Sequence, residues 1–333
     1  MAKVVVISRA GTASLPAHAI EGLRRRHTVE FVQRQSAPNR TTAVELLRGA
    51  TVLAATNVTL PRLTPDLLDD LPELRHVVLY ATGYEHIDVT ALADRGVTLS
   101  TLPEYATNAV AEHALGLIFA SATRIHLAND RARGRVAADV SLRGVEITSR
   151  TLAVIGLGRI GTRLAALTGA LGMRVLGVDI DPAARARAAT GGMPVLGLHD
   201  ALATADFVAV TASTVPGTVP ILGGAELALL RRDAFVVNVG RPVLVDQEAM
   251  RAALLREDLR GYAVDEVCFD PGYPADRLLL DEGRVLQSAH SAWWRDEVLA
   301  RGAEMFARSI AAAADGCPAH VVSARPGLLP LAR

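Results

Sequence analysis

The sequence predicts an α/β protein built as two parallel-sheet units. Three observations predict it. Short apolar runs alternate with helical patterns over the first hundred residues, and the same alternation restarts near Thr151. At the restart, the run Thr151-Leu152-Ala153-Val154-Ile155 leads directly into Gly156-Leu157-Gly158-Arg159-Ile160-Gly161. Strands separated by helices call for parallel pairing, because a parallel connection must cross over the sheet. At 333 residues the chain is long for one core and comfortable for two.

In the first unit, valine-rich runs place strands at 4–7, 29–32, 52–55, 77–80 and 97–100, with helices near 16–26, 42–48, 65–70 and 89–95. The run at 4–7 is far too short for a signal segment or a membrane span and reads as a buried strand. A long helix is expected over 108–128, its apolar face formed by Val110, Ala114, Leu117, Ile118 and Ile125, followed by a charged connector at 129–139. The second unit then offers strands at 152–155, 175–178, 194–196, 207–211, 235–239, 261–264 and 285–286. An alanine-rich helix at 296–314 and a tail containing Pro and Gly end the sequence. If that last helix returned to the first unit, the chain would cross between the two units twice.

Composition narrows the function. Half of the residues are apolar and 4% aromatic, so the core is mainly Ala, Val and Leu. Thirty-five basic residues balance thirty-five acidic ones. No field for nucleic acid results, and Arg24-Arg25-Arg26 reads as a solvated helix face. Cys268 and Cys317 are the only cysteines. They can form neither a disulfide framework nor a Cys-rich metal site, which suits a reducing cytoplasm. No histidine pair has metal-binding helical spacing, so no metal is expected.

The glycine motif gains meaning from its context. It follows a strand, opens a helix and is answered eighteen positions after Gly161 by Asp179, at the close of the next apolar run. That is a dinucleotide-binding pattern. Gly156 permits the tight turn, Gly158 lets backbone approach a pyrophosphate, and Gly161 lets helix and strand pack closely. The helix N-terminus offers N–H donors to phosphate. Asp179 would accept hydrogen bonds from a ribose hydroxyl and repel a 2′-phosphate, so NAD is expected rather than NADP.

Candidate chemistry lies at strand ends of the second unit. Arg241 follows the run 235–240, Asp265 and Asp270 follow Val264, and His290 follows 285–289. Ligands of open parallel sheets bind beyond the carboxyl ends of the strands. An arginine clamps a carboxylate and polarises the adjacent carbonyl. A histidine moves the proton that accompanies hydride transfer, and a carboxylate orients the imidazole. Taken singly, such an arginine is more often a surface charge, such an aspartate a helix cap or turn former, and such a histidine a satisfied loop residue.

Together these segments resemble the D-isomer-specific 2-hydroxyacid dehydrogenase family, whose relatives include glycerate, phosphoglycerate and phosphite dehydrogenases and the C-terminal-binding-protein corepressors. The resemblance rests on 81–88, Val110-Ala111-Glu112-His113, Gly156 to Gly161, Asn238-Val239-Gly240-Arg241, Ala263-Val264-Asp265 and Ser288-Ala289-His290-Ser291-Ala292-Trp293. It implies two Rossmann-like domains: an NAD-binding domain at 102–290 inserted into a flavodoxin-like substrate domain made of 1–101 and 291–333. It also implies that Arg241 binds substrate, His290 is the acid/base and Asp270 stands where the family's glutamate partner lies. Arg159, Ile160, Asp179, Val239, Gly240 and Asp265 would contact NAD, Asp265 through the carboxamide. The N–H groups around Thr82 and Gly83 would hold a small anionic substrate, with Trp293 lining its pocket. The long helix and the following arm would form a homodimer.

This sequence departs from the family pattern in three places. Asp270 is one methylene shorter than glutamate, and Glu266 is near but wrongly spaced. Pro242 replaces a glycine and biases Arg241 toward extended backbone. Trp293 resembles the corepressor branch, where it lines the substrate pocket, and packing at a domain or dimer interface is the equal alternative. The substrate stays open between a 2-oxo or 2-hydroxy acid and a phosphonate or phosphite. The other reading is an NAD(H)-sensing, corepressor-like binding protein with little turnover.

Overall fold

The computed structural model describes residues 1–215 and 217–322. The chain forms two compact units, one of Met1–Ala106 and Arg295–Arg333, the other of Thr107–Trp294. These limits lie a few residues from the 101/102 and 290/291 boundaries expected above. Of the expected range 291–333, residues 323–333 lie outside those described.

The first unit carries five parallel strands: β1 (Lys3–Ser8), β2 (Thr28–Gln33), β3 (Val52–Thr56), β4 (His76–Tyr80) and β5 (Thr98–Ser100). Their order is β2-β1-β3-β4-β5, the flavodoxin-like doubly wound arrangement. Residues 4–7 and 52–55 are buried throughout, as continuous apolar strands must be when both sheet faces are covered. The helix Asp296–Ala314 packs on β4, β3 and β1. Its Gly302 is the contact point, since a Cβ there would lie 2.0 Å from the Tyr80 hydroxyl. The Tyr80 ring is wedged edge-on between Phe306 and Tyr105, at 5.1 and 5.6 Å.

The second unit has six strands: β6 (Thr151–Ile155), β7 (Arg174–Val178), β8 (Phe207–Val210), β9 (Phe235–Asn238), β10 (Gly261–Val264) and β11 (Val285–Gln287). They run parallel in the order β11-β10-β9-β8-β6-β7. Alternate residues feed two cores. On β6, Ala153 and Ile155 join one, while Leu152 and Val154 join the other.

Two expected elements differ. The segment 194–196 is no strand, because only Val195 bridges to Gly177. The helix expected over 108–128 is broken: Arg124 is left-handed (φ 56°), separating Thr107–Thr123 from Ile125–Ala132. Apolar spacing could not reveal this. The break lets the Arg124 guanidinium reach the Glu282 carbonyl at 2.5 Å, a tertiary contact. No described helix is long and apolar enough to cross a membrane.

Candidate active site

The glycine turn is built as its motif requires. Gly156 has φ +98°, and a Cβ there would lie 2.6 Å from the Ala212 backbone. A Cβ on Gly161 would lie 1.9 Å from the Gly156 carbonyl, so the first helical turn closes against the loop. Gly158 differs. It caps the helix Arg159–Ala170, and a Cβ there would meet nothing within 4 Å. The glycine therefore leaves open space in front of the helix N-terminus, the room a pyrophosphate needs beside first-turn N–H donors. Arg159 and Ile160 open that helix. Asp179, just after β7, accepts the Leu157 N–H at 2.6 Å on one oxygen and the Asp181 N–H at 2.8 Å on the other. The turn thus fixes the acid at its own edge, and the residues present suit a dinucleotide.

β9, β10 and β11 are neighbours in the sheet, and each delivers one candidate group from its carboxyl end. After β9 the buried Asn238 shapes the approach to Arg241. Its amide accepts the Gly240 N–H at 3.0 Å and donates to the Arg241 carbonyl at 2.9 Å. Val239 is buried, and a Cβ on Gly240 would crowd Leu244 and the Ala212 carbonyl at 2.8 and 2.9 Å. Arg241 is extended (φ −130°, ψ 149°), as the following Pro242 requires. Tyr262, behind Asn238, has its hydroxyl pKa pushed up to about 12 by burial.

Beyond β10 and β11 the carboxylates are assigned differently from the sequence expectation. His290 Nδ1 pairs with Glu266 Oε1. Asp270 is exposed and turned into its own loop: Oδ1 accepts the Gly272 N–H at 2.8 Å, and its N–H goes to Asp276 at 2.9 Å. The expected Asp270–His290 pair is therefore not formed. The Pro271-Gly272 turn captures the short aspartate, while the longer Glu266 reaches the imidazole from the residue after Asp265. Glu266 lies off the spacing that the family pattern gives for the partner of the histidine. Its place directly beyond a strand end marks it only as a candidate; the choice between the two acids is made by side-chain reach and by the turn that occupies Asp270. Cys268, in the same segment, has its thiol pushed up to about 11, by burial first and the Glu266 charge second.

Asp265 is 8% exposed, and both its oxygens are engaged within the unit. Oδ1 accepts the Ser288 hydroxyl at 2.8 Å and the Ser291 N–H at 2.9 Å, and Oδ2 accepts the Ala292 N–H at 3.1 Å. Trp293 meets Trp294 edge-on at 4.9 Å. In the first unit, Thr82 donates its hydroxyl to the Leu102 carbonyl at 2.8 Å. Thr82 and Gly83 follow β4 and Ala81.

Known proteins resemble the chain throughout. A family model described as "D-isomer specific 2-hydroxyacid dehydrogenase, NAD binding domain" matches residues 115–292. A glycerate dehydrogenase of Methylorubrum extorquens is 30% identical over 290 residues, covering 84% of this chain and 88% of that protein. A glyoxylate reductase of Korarchaeum cryptofilum is 28% identical over 305 residues, covering 90% and 91%. A D-3-phosphoglycerate dehydrogenase of Methanocaldococcus jannaschii is 28% identical over 267 residues, or 80% of this chain, but the match spans only 50% of that longer protein. Among solved structures, the TT0316 protein from Thermus thermophilus superposes with a TM-score of 0.80 at 27% identity, covering 96% of this chain and all (100%) of that one. A glyoxylate reductase from Paecilomyes thermophila gives 0.82 at 20% identity, covering 97% and 99%, and so speaks to the fold alone.

Proposed function

Since the chain belongs to the D-isomer specific 2-hydroxyacid dehydrogenase family and carries its NAD-binding domain, we propose that it interconverts a small D-2-hydroxy acid and its 2-oxo acid. Gly156 to Gly161 and Asp179 would hold the dinucleotide, whose nicotinamide, when bound, would supply or take the hydride at substrate C2. The observation that carries this reading is the His290–Glu266 pair, on strand ends beside the one that delivers Arg241.

With Nδ1 committed to Glu266, the neutral imidazole donates that N–H to the carboxylate and leaves its Nε2 lone pair for the substrate hydroxyl. In oxidation His290 takes the proton at Nε2. In reduction it gives the proton back to the carbonyl oxygen. The Glu266 charge stabilises the imidazolium between these steps. Arg241 clamps the substrate oxyanion and polarises the carbonyl. Within the first unit, the backbone N–H groups of Thr82 and Gly83 are the proposed carboxylate donors. Asp179 favours NAD over NADP by charge. Trp293 is assigned to the substrate pocket by its place three residues after His290. The exposed Ile125 and Phe119 (64% and 38%) support a homodimer through the helices Thr107–Thr123 and Ile125–Ala132, to be checked by light scattering. The two free cysteines suit the cytoplasm.

Mixing the purified chain with NADH and glyoxylate, hydroxypyruvate or longer 2-oxo acids, or with NAD and phosphite, tests the reading. Turnover that His290→Ala removes supports it, and the preferred compound names the oxyanion. Tight NADH binding that changes the oligomeric state, with no turnover of any compound, overturns it in favour of a sensor.

A further inference from the structure

We propose that His113, Ser288 and Asp265 form a positioning relay that holds His290 in its working pose, an inference that rests on the acid/base role given to His290 above. Ala289 and His290 are consecutive left-handed residues, at φ 52° and 56°. L side chains disfavour that conformation, and such pairs persist only where their surroundings over-determine them. Here both ends of the pair are held. Before it, the Ser288 N–H continues the sheet by bonding to the Val264 carbonyl at 3.0 Å. After it, the Ser291 and Ala292 N–H groups are captured by the two oxygens of Asp265 at 2.9 and 3.1 Å.

The relay also reaches the helix Thr107–Thr123. An ionised Asp265 can only accept, so the single hydroxyl hydrogen of Ser288 points to it at 2.8 Å. The Ser288 oxygen must then accept from His113 Nε2, 2.8 Å away. The direction is therefore fixed: His113 Nε2–H to Ser288 O–H to Asp265, with the two loop N–H groups closing on the same carboxylate. His113 also stands 3.5 Å from Asp265 Oδ1. Its helix, Thr107–Thr123, packs against β9 and β10, so the relay ties the His290 turn to a rigid element rather than to solvent. These polar groups are largely shielded, with side-chain exposures of 13% for His113 and 8% for Asp265, which strengthens each bond.

The test separates positioning from stability. His113→Leu and Ser288→Ala are expected to lower kcat by about 10- to 100-fold through misplacement of the imidazole, with KM for NADH changed less than threefold. His113→Gln, which puts an amide N–H where Nε2–H stood, is expected to retain most activity. Ala289→Gly added to Ser288→Ala is expected to restore part of kcat, because glycine adopts the left-handed turn freely. Nitrogen-15 NMR of the imidazoles reads the pose without turnover: the His290 Nδ1–H resonance is present in the parent, lost in Ser288→Ala and regained in the double variant. If the His113 and Ser288 variants keep kcat within twofold and leave that resonance unmoved, the relay is wrong. A parent chain that turns nothing over yet shows the same resonance pattern sinks the dehydrogenase reading and leaves the relay standing.

Discussion

At residue scale, the site depends on which carboxylate the imidazole of His290 finds. Glu266 holds Nδ1, while Asp270 is occupied by the turn that follows it. Steady-state kinetics should therefore separate the two acids. Glu266→Gln is expected to lower kcat by about 10²-fold, and His290→Ala by roughly 10²–10⁴-fold, while Asp270→Asn stays within about threefold of the parent. A large loss in Asp270→Asn with a silent Glu266→Gln would restore the family's usual spacing. A second residue-scale prediction concerns the cofactor. Replacing Asp179 by Ala removes the charge proposed to repel a 2′-phosphate, so the ratio of kcat/KM for NADH over NADPH should fall at least about tenfold, or roughly 1.4 kcal/mol. An unchanged ratio would mean that selection lies elsewhere. The strand-end positions of Arg241, His290 and Asp179 were legible from the apolar runs before them. The choice of Glu266 over Asp270 was not, because it depends on side-chain reach and on a competing turn, and neither is periodic.

At the scale of elements, the glycines of the motif divide by function. Gly161→Ala drives a Cβ into the Gly156 carbonyl, so it should yield little folded protein. Gly158→Ala meets open space in the chain without cofactor and should fold with a normal circular dichroism spectrum while binding NADH weakly. If both variants bind like the parent, the pyrophosphate lies elsewhere. The segment after β10 has its own brace. Asp276, 2% exposed, pairs with Arg251 at 2.5 Å and accepts the Asp270 N–H. Burial pushes its carboxyl upward, but the Arg251 and Asp270 bonds outweigh that and leave it below the usual carboxylate range. A depressed folded pKa contributes stability above the unfolded value and loses it as pH falls through the folded one. Denaturant melts should therefore show Asp276→Asn most destabilising near neutral pH, with the difference shrinking below about pH 4. A pH-independent difference would mean that packing, not charge, holds this loop. Strand and helix positions were legible from apolar periodicity almost throughout. The left-handed break at Arg124 was not, because a distant carbonyl decides it.

For the whole molecule, two doubly covered parallel sheets account for nearly all of the buried apolar runs. The first unit is discontinuous in sequence, and Gly302 is where its last helix settles on the sheet. Gly302→Ala should cost about 1–3 kcal/mol of stability by overpacking against Tyr80, read as a lowered unfolding midpoint. An unshifted midpoint would show that the Tyr80 ring yields. The sequence alone determined the class, the alternation, the glycine turn and its answering acid, because these are written in short-range patterns that burial and backbone sterics enforce locally. Tertiary structure alone decided that Gly302 is where the final helix meets Tyr80, that Asn238 shapes the approach to Arg241, and that Glu266 rather than Asp270 meets His290. Those outcomes depend on groups far apart in the chain, or on two side chains competing for one partner, and only the folded geometry ranks such contacts.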